Sequence, residues 1–284
     1  MKDRYYTLVG ALLVAGCATA PPAAAPRPAG GTILAYRAAA PATLTYDFAD
    51  SSNFTITGGA IGDIRASMGS RGTAEVVVGA KDSTNVEMRM RITELQGTAS
   101  NSAMGGTTNV TKADVTGEAV LTVSPRGVLT VNQVPTASRA AQQTGIGPSF
   151  FRRFTLRLPS TAVARGSSWT DTVNTSEESA GIRSSVNDVV TATWARDTTV
   201  NGKTLHVITH ATQRTLNVTG TSEGVEIAQK LSGSASGYTL WDAQRSVVVE
   251  RFENTELSGT FDLPAMGLSG LPVTAKGSGR ITLR

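Results

Sequence analysis

The sequence predicts an all-β protein: an antiparallel curved sheet, half-barrel or sandwich of ten to fourteen strands. Three observations lead there. Beyond residue 43, apolar and polar residues alternate with period two over many stretches. Turn signals rich in Gly, Pro, Asn and Asp punctuate those stretches. No segment after the first sixteen residues keeps a 3.6-residue apolar period over three turns. With 40% hydrophobic and 17% charged residues, the 284-residue chain can bury a core.

The first β half spans 43–134. In Asn85-Val86-Glu87-Met88-Arg89-Met90-Arg91-Ile92, the residues Val86, Met88, Met90 and Ile92 share a dry face, opposite Glu87, Arg89 and Arg91. Thr73–Val78 and Ala119–Val123 alternate similarly, and Gly58-Gly59 and Pro125-Arg126-Gly127 read as turns. A connector over 135–165 follows. Thr136–Thr144 reads as a short helix starting at Pro135 or Thr136 and stopping at Gly145. Phe150, Phe151 and Phe154 then put three of the chain's seven phenylalanines within five residues. Such a connector either plugs the core between sheet layers or lines a greasy cavity, with those three rings as the candidate ligand-binding residues.

The second β half spans 166–284, with strands at Val189–Trp194, Leu205–Thr209, Leu216–Val218, Ser246–Arg251 and Thr255–Phe261. Asn201-Gly202 and Asp242-Ala243 mark turns. Tyr46-Asp47-Phe48 and Trp169-Thr170-Asp171 open the two halves, and the strand-turn-strand run 117–129 has a counterpart at 237–248. The matched spacing predicts two duplicated meander halves.

The first sixteen residues differ in kind. Lys2 and Arg4 precede an apolar stretch, Tyr5–Gly16, whose helical length of roughly 18 Å falls short of a bilayer core. This reads as a secretory signal, 1–16. Cys17 is the sole cysteine, so it has no internal disulfide partner and no paired-cysteine zinc site. Leu13-Val14-Ala15-Gly16-Cys17 resembles the bacterial lipobox. That resemblance implies cleavage between Gly16 and Cys17, diacylglycerol and palmitate-type acylation of Cys17, and a membrane partner held through the lipid. Ala18 after the cysteine implies outer-membrane sorting, facing the periplasm. Residues 17–42, rich in Ala and Pro, read as an extended tether.

Pro159 through Thr172, with its Arg165-Gly166-Ser167-Ser168-Trp169-Thr170-Asp171-Thr172 run, and the late hairpin around Gly237 and Asp242 resemble bacterial lipoproteins of the uncharacterised DUF6263 type. These are similar in turn to the LolA/LppX-like lipoprotein-carrier class. The resemblance implies a curved antiparallel sheet wrapped around helices and an apolar cavity. This chain has less helix and its own anchor, which implies local binding rather than ferrying.

Chemistry finds little support in the residue pattern. His206 and His210, the only histidines, would lie about 13 Å apart on a strand, too far for one metal. Gly220-Thr221-Ser222-Glu223-Gly224 matches the nucleophile-elbow pattern, but both histidines precede it and strands flank it. Glu177 and Glu178 would face opposite ways, and Asp171, Asp188 and Asp262 read as turn or edge residues. No phosphate loop and no cofactor motif is present. The densest basic stretch, Arg152, Arg153 and Arg157, is too short for a nucleic-acid stripe.

The expectation is a non-catalytic envelope lipoprotein that binds an apolar ligand, such as a lipid, or an envelope protein. An assembly factor would act through protein contacts and need no cavity. An enzyme, such as a hydrolase, would show carboxylates, or a histidine with a carboxylate, lining one cleft.

Overall fold

The computed structural model describes residues 31–37, 40–58, 62–102, 106–179, 181–222 and 225–284. Gly16, Cys17 and the signal segment lie outside the described residues. The first half contributes β1 (Ala42–Ile56), β2 (Ile64–Ala80), β3 (Val86–Asn101), β4 (Gly106–Thr111), β5 (Val115–Thr116), β6 (Ala119–Val123) and β7 (Leu129–Gln133). The connector carries β8 (Thr136–Ala137) and two short helices, α1 (Arg139–Gln143) and α2 (Pro148–Phe151). The second half contributes β9 (Ser168–Ser179), β10 (Ile182–Val200), β11 (Lys203–Ser222), β12 (Val225–Asp242), β13 (Val247–Leu263) and β14 (Leu268–Leu283). About 71% of the structure is strand and 7% helix, and the antiparallel sheet curves into a half-barrel.

Twelve of these strands form one sheet, in the order β7-β6-β3-β2-β1-β14-β13-β12-β11-β10-β9, with β4 also paired to β3. Each half is a meander of consecutive hairpins, and the β1–β14 ladder joins them from Tyr46↔Leu283 to Ile56↔Val273. The duplication shows in the strand starts. β2, β3, β4 and β7 begin at Ile64, Val86, Gly106 and Leu129. β10, β11, β12 and β13 begin at Ile182, Lys203, Val225 and Val247, which is 118, 117, 119 and 118 positions later. In the first half, β4 and β6 pair successive stretches of β3, where the second half has the single long strand β12.

Alternation sets which face is dry. Val86, Met88, Met90 and Ile92 are buried on the concave side, while Arg89 and Arg91 make outward ion pairs with Glu87 and Glu75. Two strands are longer than the periodicity suggests. The pieces expected at Leu205–Thr209 and Leu216–Val218 are one twenty-residue strand, β11, and the pieces 246–251 and 255–261 merge as β13. Between each pair of pieces, polar residues face inward and break the alternation. The Asn201-Gly202 turn has both residues at positive φ, 49° and 75°, as a tight hairpin between right-twisted strands requires.

The connector lies on the concave face. Its helix starts two residues later than expected: Ser138 is the cap, its Oγ accepting from the Ala141 amide at 3.2 Å. Thr136 and Ala137 instead pair with Val115 and Thr116 in a small second sheet. Gly145, at φ 87°, follows the last helical turn as expected.

The tether expected over 17–42 is corrected at its distal end. Thr32 bridges Val163, and Leu34 and Tyr36 are only 2% exposed. The Tyr36 ring meets Trp241 edge-on at 4.8 Å, and its hydroxyl accepts from the Leu156 amide at 2.6 Å. Two apolar side chains at alternate positions make this segment core rather than linker. Burial pushes the phenols of Tyr36 and Tyr46 above their ordinary value.

Candidate functional site

Between the connector and the long strands of the second half lies a cavity of about 420 Å³. This is within the range of small-molecule sites, roughly 300–1,000 Å³. Strand register builds its floor in cross-strand rows. One row runs Asp50–Gly279–Glu253–Gly237–His210 across β1, β14, β13, β12 and β11. Four residues further along each strand, the row is Phe54–Ala275–Leu257–Gly233–Arg214. The floor therefore changes from charged to largely apolar over about 13 Å. A small apolar cluster of Leu231, Leu257, Val273 and Ala275 backs the second region, with Phe54 and Leu216 packed on it.

Glycine makes the charged row possible. A Cβ at Gly279 would stand 2.6 Å from Asp50 Oδ1 and 3.1 Å from Arg153 Nη1. Only a bare backbone leaves room for that carboxylate and guanidinium side by side.

The roof is supplied by the connector, whose Arg152, Arg153 and Arg157 line the cavity. Six arginines and Lys276 thus line the cavity with four carboxylates, Asp50, Asp171, Asp188 and Glu253. Of the cations, Arg280 and Lys276 pair with Glu250 and Glu256 outside the lining. Arg153 pairs with Asp50. Arg157 lies 3.8 Å from Asp171. Arg214 holds Asp188 through two bonds of 2.8 Å and reaches Glu253 at 3.4 Å. Arg251 bonds Glu253 at 2.9 Å and donates to the Thr155 carbonyl at 3.0 Å.

Donors are left over. Nε of Arg152 and Nε of Arg251 are buried without a hydrogen-bond partner. The His210 side chain is 2% exposed, and its Nε2 lies 3.4 Å from Glu253 Oε2 without forming a hydrogen bond. Its Nδ1 also has no partner.

The electrostatics favour the charged forms. Burial acts to raise the Glu253 carboxyl, but nearby His210, Arg251 and Arg214 outweigh it and hold it well below the usual carboxylate range. Burial pushes the Arg153 guanidinium down to about 10, which leaves it protonated at neutral pH. For Arg214, burial is outweighed by Asp188 and Glu253, and its value rises.

No family model matches the chain, and no curated protein does. The site is therefore read from its own geometry.

Phe150, Phe151 and Phe154, the rings expected to bind ligand, do not line this cavity. They are 1%, 1% and 2% exposed and belong to the main core. Phe150 meets Phe48, Phe151 and Phe154 edge-on at 4.9, 5.3 and 5.6 Å, and Phe154 meets Tyr46 at 5.3 Å. The plugging role is the one the packing realises, because rings this tightly stacked leave no open wall. A gap of about 10 Å³ beside Phe154 is too small for a ligand.

Asp171 lies on the edge strand β9, as expected, and also faces the cavity near Arg157; Asp188, expected at a turn or edge, lies one strand in, on β10, opposite Arg214. Arg152 and Arg153 are visible in the sequence as the basic pair between phenylalanines, but linear spacing gives no sign that they line one cavity with Glu253 and His210. His206 is engaged elsewhere, 2.7 Å from Asp197 and packed on Trp194. No group of three or more potential metal-ligating side chains occurs among the described residues. Gly220–Ser222 closes β11 and Val225 opens β12, so the elbow-like segment joins two strands. No helix among the described residues is long and apolar enough to cross a membrane.

Proposed function

We propose that this chain is a lipid-anchored envelope lipoprotein of the bacterial outer membrane that holds an apolar ligand in the hollow of its half-barrel without transforming it. The 420 Å³ cavity, walled on one side by Phe54, Leu216, Leu257 and Ala275, carries this reading. A single hollow open to solvent between a rigid sheet and a packed connector is a place to hold a molecule. Anchoring at Cys17, after removal of residues 1–16, rests on the lipobox-like run ending in Gly16-Cys17. Likeness to the lipoprotein-carrier class agrees with the curved sheet but stands as part of the proposal.

The test is native mass spectrometry with lipid extraction on residues 18–284 purified from a bacterial periplasm. All described elements begin at Thr32 or later, so this form retains the whole sheet and connector. A stoichiometric co-purifying lipid is the expected result. A form that is ligand-free and takes up no apolar probe would overturn the reading.

A hydrolase is the second reading, because His210 and Glu253 do line one cleft. Against it, the carboxylates are each faced by an arginine rather than by one another, so they do not form the paired-acid arrangement of a hydrolase. No hydroxyl hydrogen-bonds His210 to make a nucleophile pair. A partner protein remains an alternative occupant for the sheet edges at β7 and β9.

A further inference from the structure

We infer that the charged end of the cavity is a head-group site: Arg152, Arg251 and His210 receive the acidic head of a single-chain amphiphile whose tail lies toward Phe54, Leu257 and Leu216. This rests on the apolar-ligand reading above and gives that ligand its chemistry.

Three features carry it. First, one lining cation is left over: Arg153, Arg157, Arg214 and Arg251 engage Asp50, Asp171, Asp188 and Glu253, Arg280 and Lys276 pair with Glu250 and Glu256, and Arg152 has no ion-pair partner among the described residues. Second, the side chains with unmet groups line that same cavity. Arg152 Nε, Arg251 Nε and both ring nitrogens of the 2%-exposed His210 are buried without hydrogen-bond partners. Unmet buried donors are costly, and a carboxylate or phosphate supplies several acceptors at once. Guanidinium is well suited to such a group because its planar fork matches two oxygens. Third, the polarity is graded. His210 and Glu253 stand in one row, and Leu257 stands four residues along β13 on the same face, beside Ala275 and Phe54. A molecule charged at one end and apolar at the other matches both rows. The volume sets its size: at about 30 Å³ per water-sized group, 420 Å³ holds on the order of fourteen such groups, one chain rather than several.

The experiment is isothermal titration of residues 18–284 with dodecanoate, dodecyl phosphate, dodecanol and inorganic phosphate. The acidic amphiphiles should bind at least tenfold tighter than dodecanol, and inorganic phosphate far more weakly than dodecyl phosphate. Arg152→Gln should lower dodecanoate affinity by about tenfold to a hundredfold, the worth of a charge-assisted bond, and lower dodecanol affinity far less. His210→Gln tests the same end through a second residue, with thermal unfolding of both variants checking that they fold. Equal affinity for dodecanoate and dodecanol would overturn the head-group site while leaving apolar binding intact. Inorganic phosphate binding as tightly as dodecyl phosphate would overturn the amphiphile in favour of a free anion. Binding of none of the four would overturn the parent reading as well.

Discussion

Glu253 is the residue on which the cavity's electrostatics turn, since Arg214, Arg251 and His210 all approach it. Its carboxyl is depressed in the folded protein, whereas an unfolded glutamate titrates near 4.3. The sign follows directly: its contribution to stability is complete above that value and is lost as pH falls through the lower, folded one. Urea unfolding from pH 7 to 3 should therefore show stability level above about pH 5 and falling in acid. Glu253→Gln removes the carboxylate that Arg251 bonds at 2.9 Å and leaves Asp188 as the only carboxylate on Arg214, so it should cost about 1–3 kcal/mol at pH 7 and flatten the acid limb. An acid limb parallel to the wild type would assign the effect to other depressed carboxyls, such as Asp242 and Asp47.

At the level of elements, the connector divides its labour by residue type. Phe150, Phe151 and Phe154 bind it to the core, while Arg152 and Arg153 from the same turns face the cavity. Phe151→Ala should therefore destabilise by about 3–5 kcal/mol and leave the affinity for an apolar probe nearly unchanged, as denaturant titration and probe binding would show together. A large loss of affinity with little loss of stability would return the phenylalanines to the ligand wall. The strands show how far pattern alone reaches. Val86–Ile92 was legible because every inward residue is apolar. In β11 the inward positions His210, Thr212 and Arg214 interrupt that pattern, and in β13 Arg251, Glu253 and Thr255 do the same. Periodicity fails where the strands pass the cavity, because there the inward face meets polar groups. The breaks that split two strands on paper are the candidate site.

The whole molecule is a duplicated meander, and that was legible from matched spacings near 120 residues. Which residues share a row was not, since Asp50 and His210 are aligned only through register across five strands. The proposed attachment belongs to this scale too. Cys17→Ser should abolish labelling by radioactive palmitate and release the protein from membranes. Retention of both would refute the anchor. The chain has entered the fold by Thr32, since Thr32 bridges Val163 and Leu34 and Tyr36 are buried.

The seam between β1 and β14 also fixes the order in which the molecule can come together. Every other neighbouring pair of long strands is a hairpin, able to zip from its own turn. The seam instead joins residues as far apart as Tyr46 and Leu283, and its closure bears the entropy of a loop spanning almost the whole fold. Both meanders can be formed while the seam stands open, with β1 and β14 exposed as two long unpaired edges. The same joint that makes one hollow out of two halves is thus the contact whose closure costs the most chain entropy.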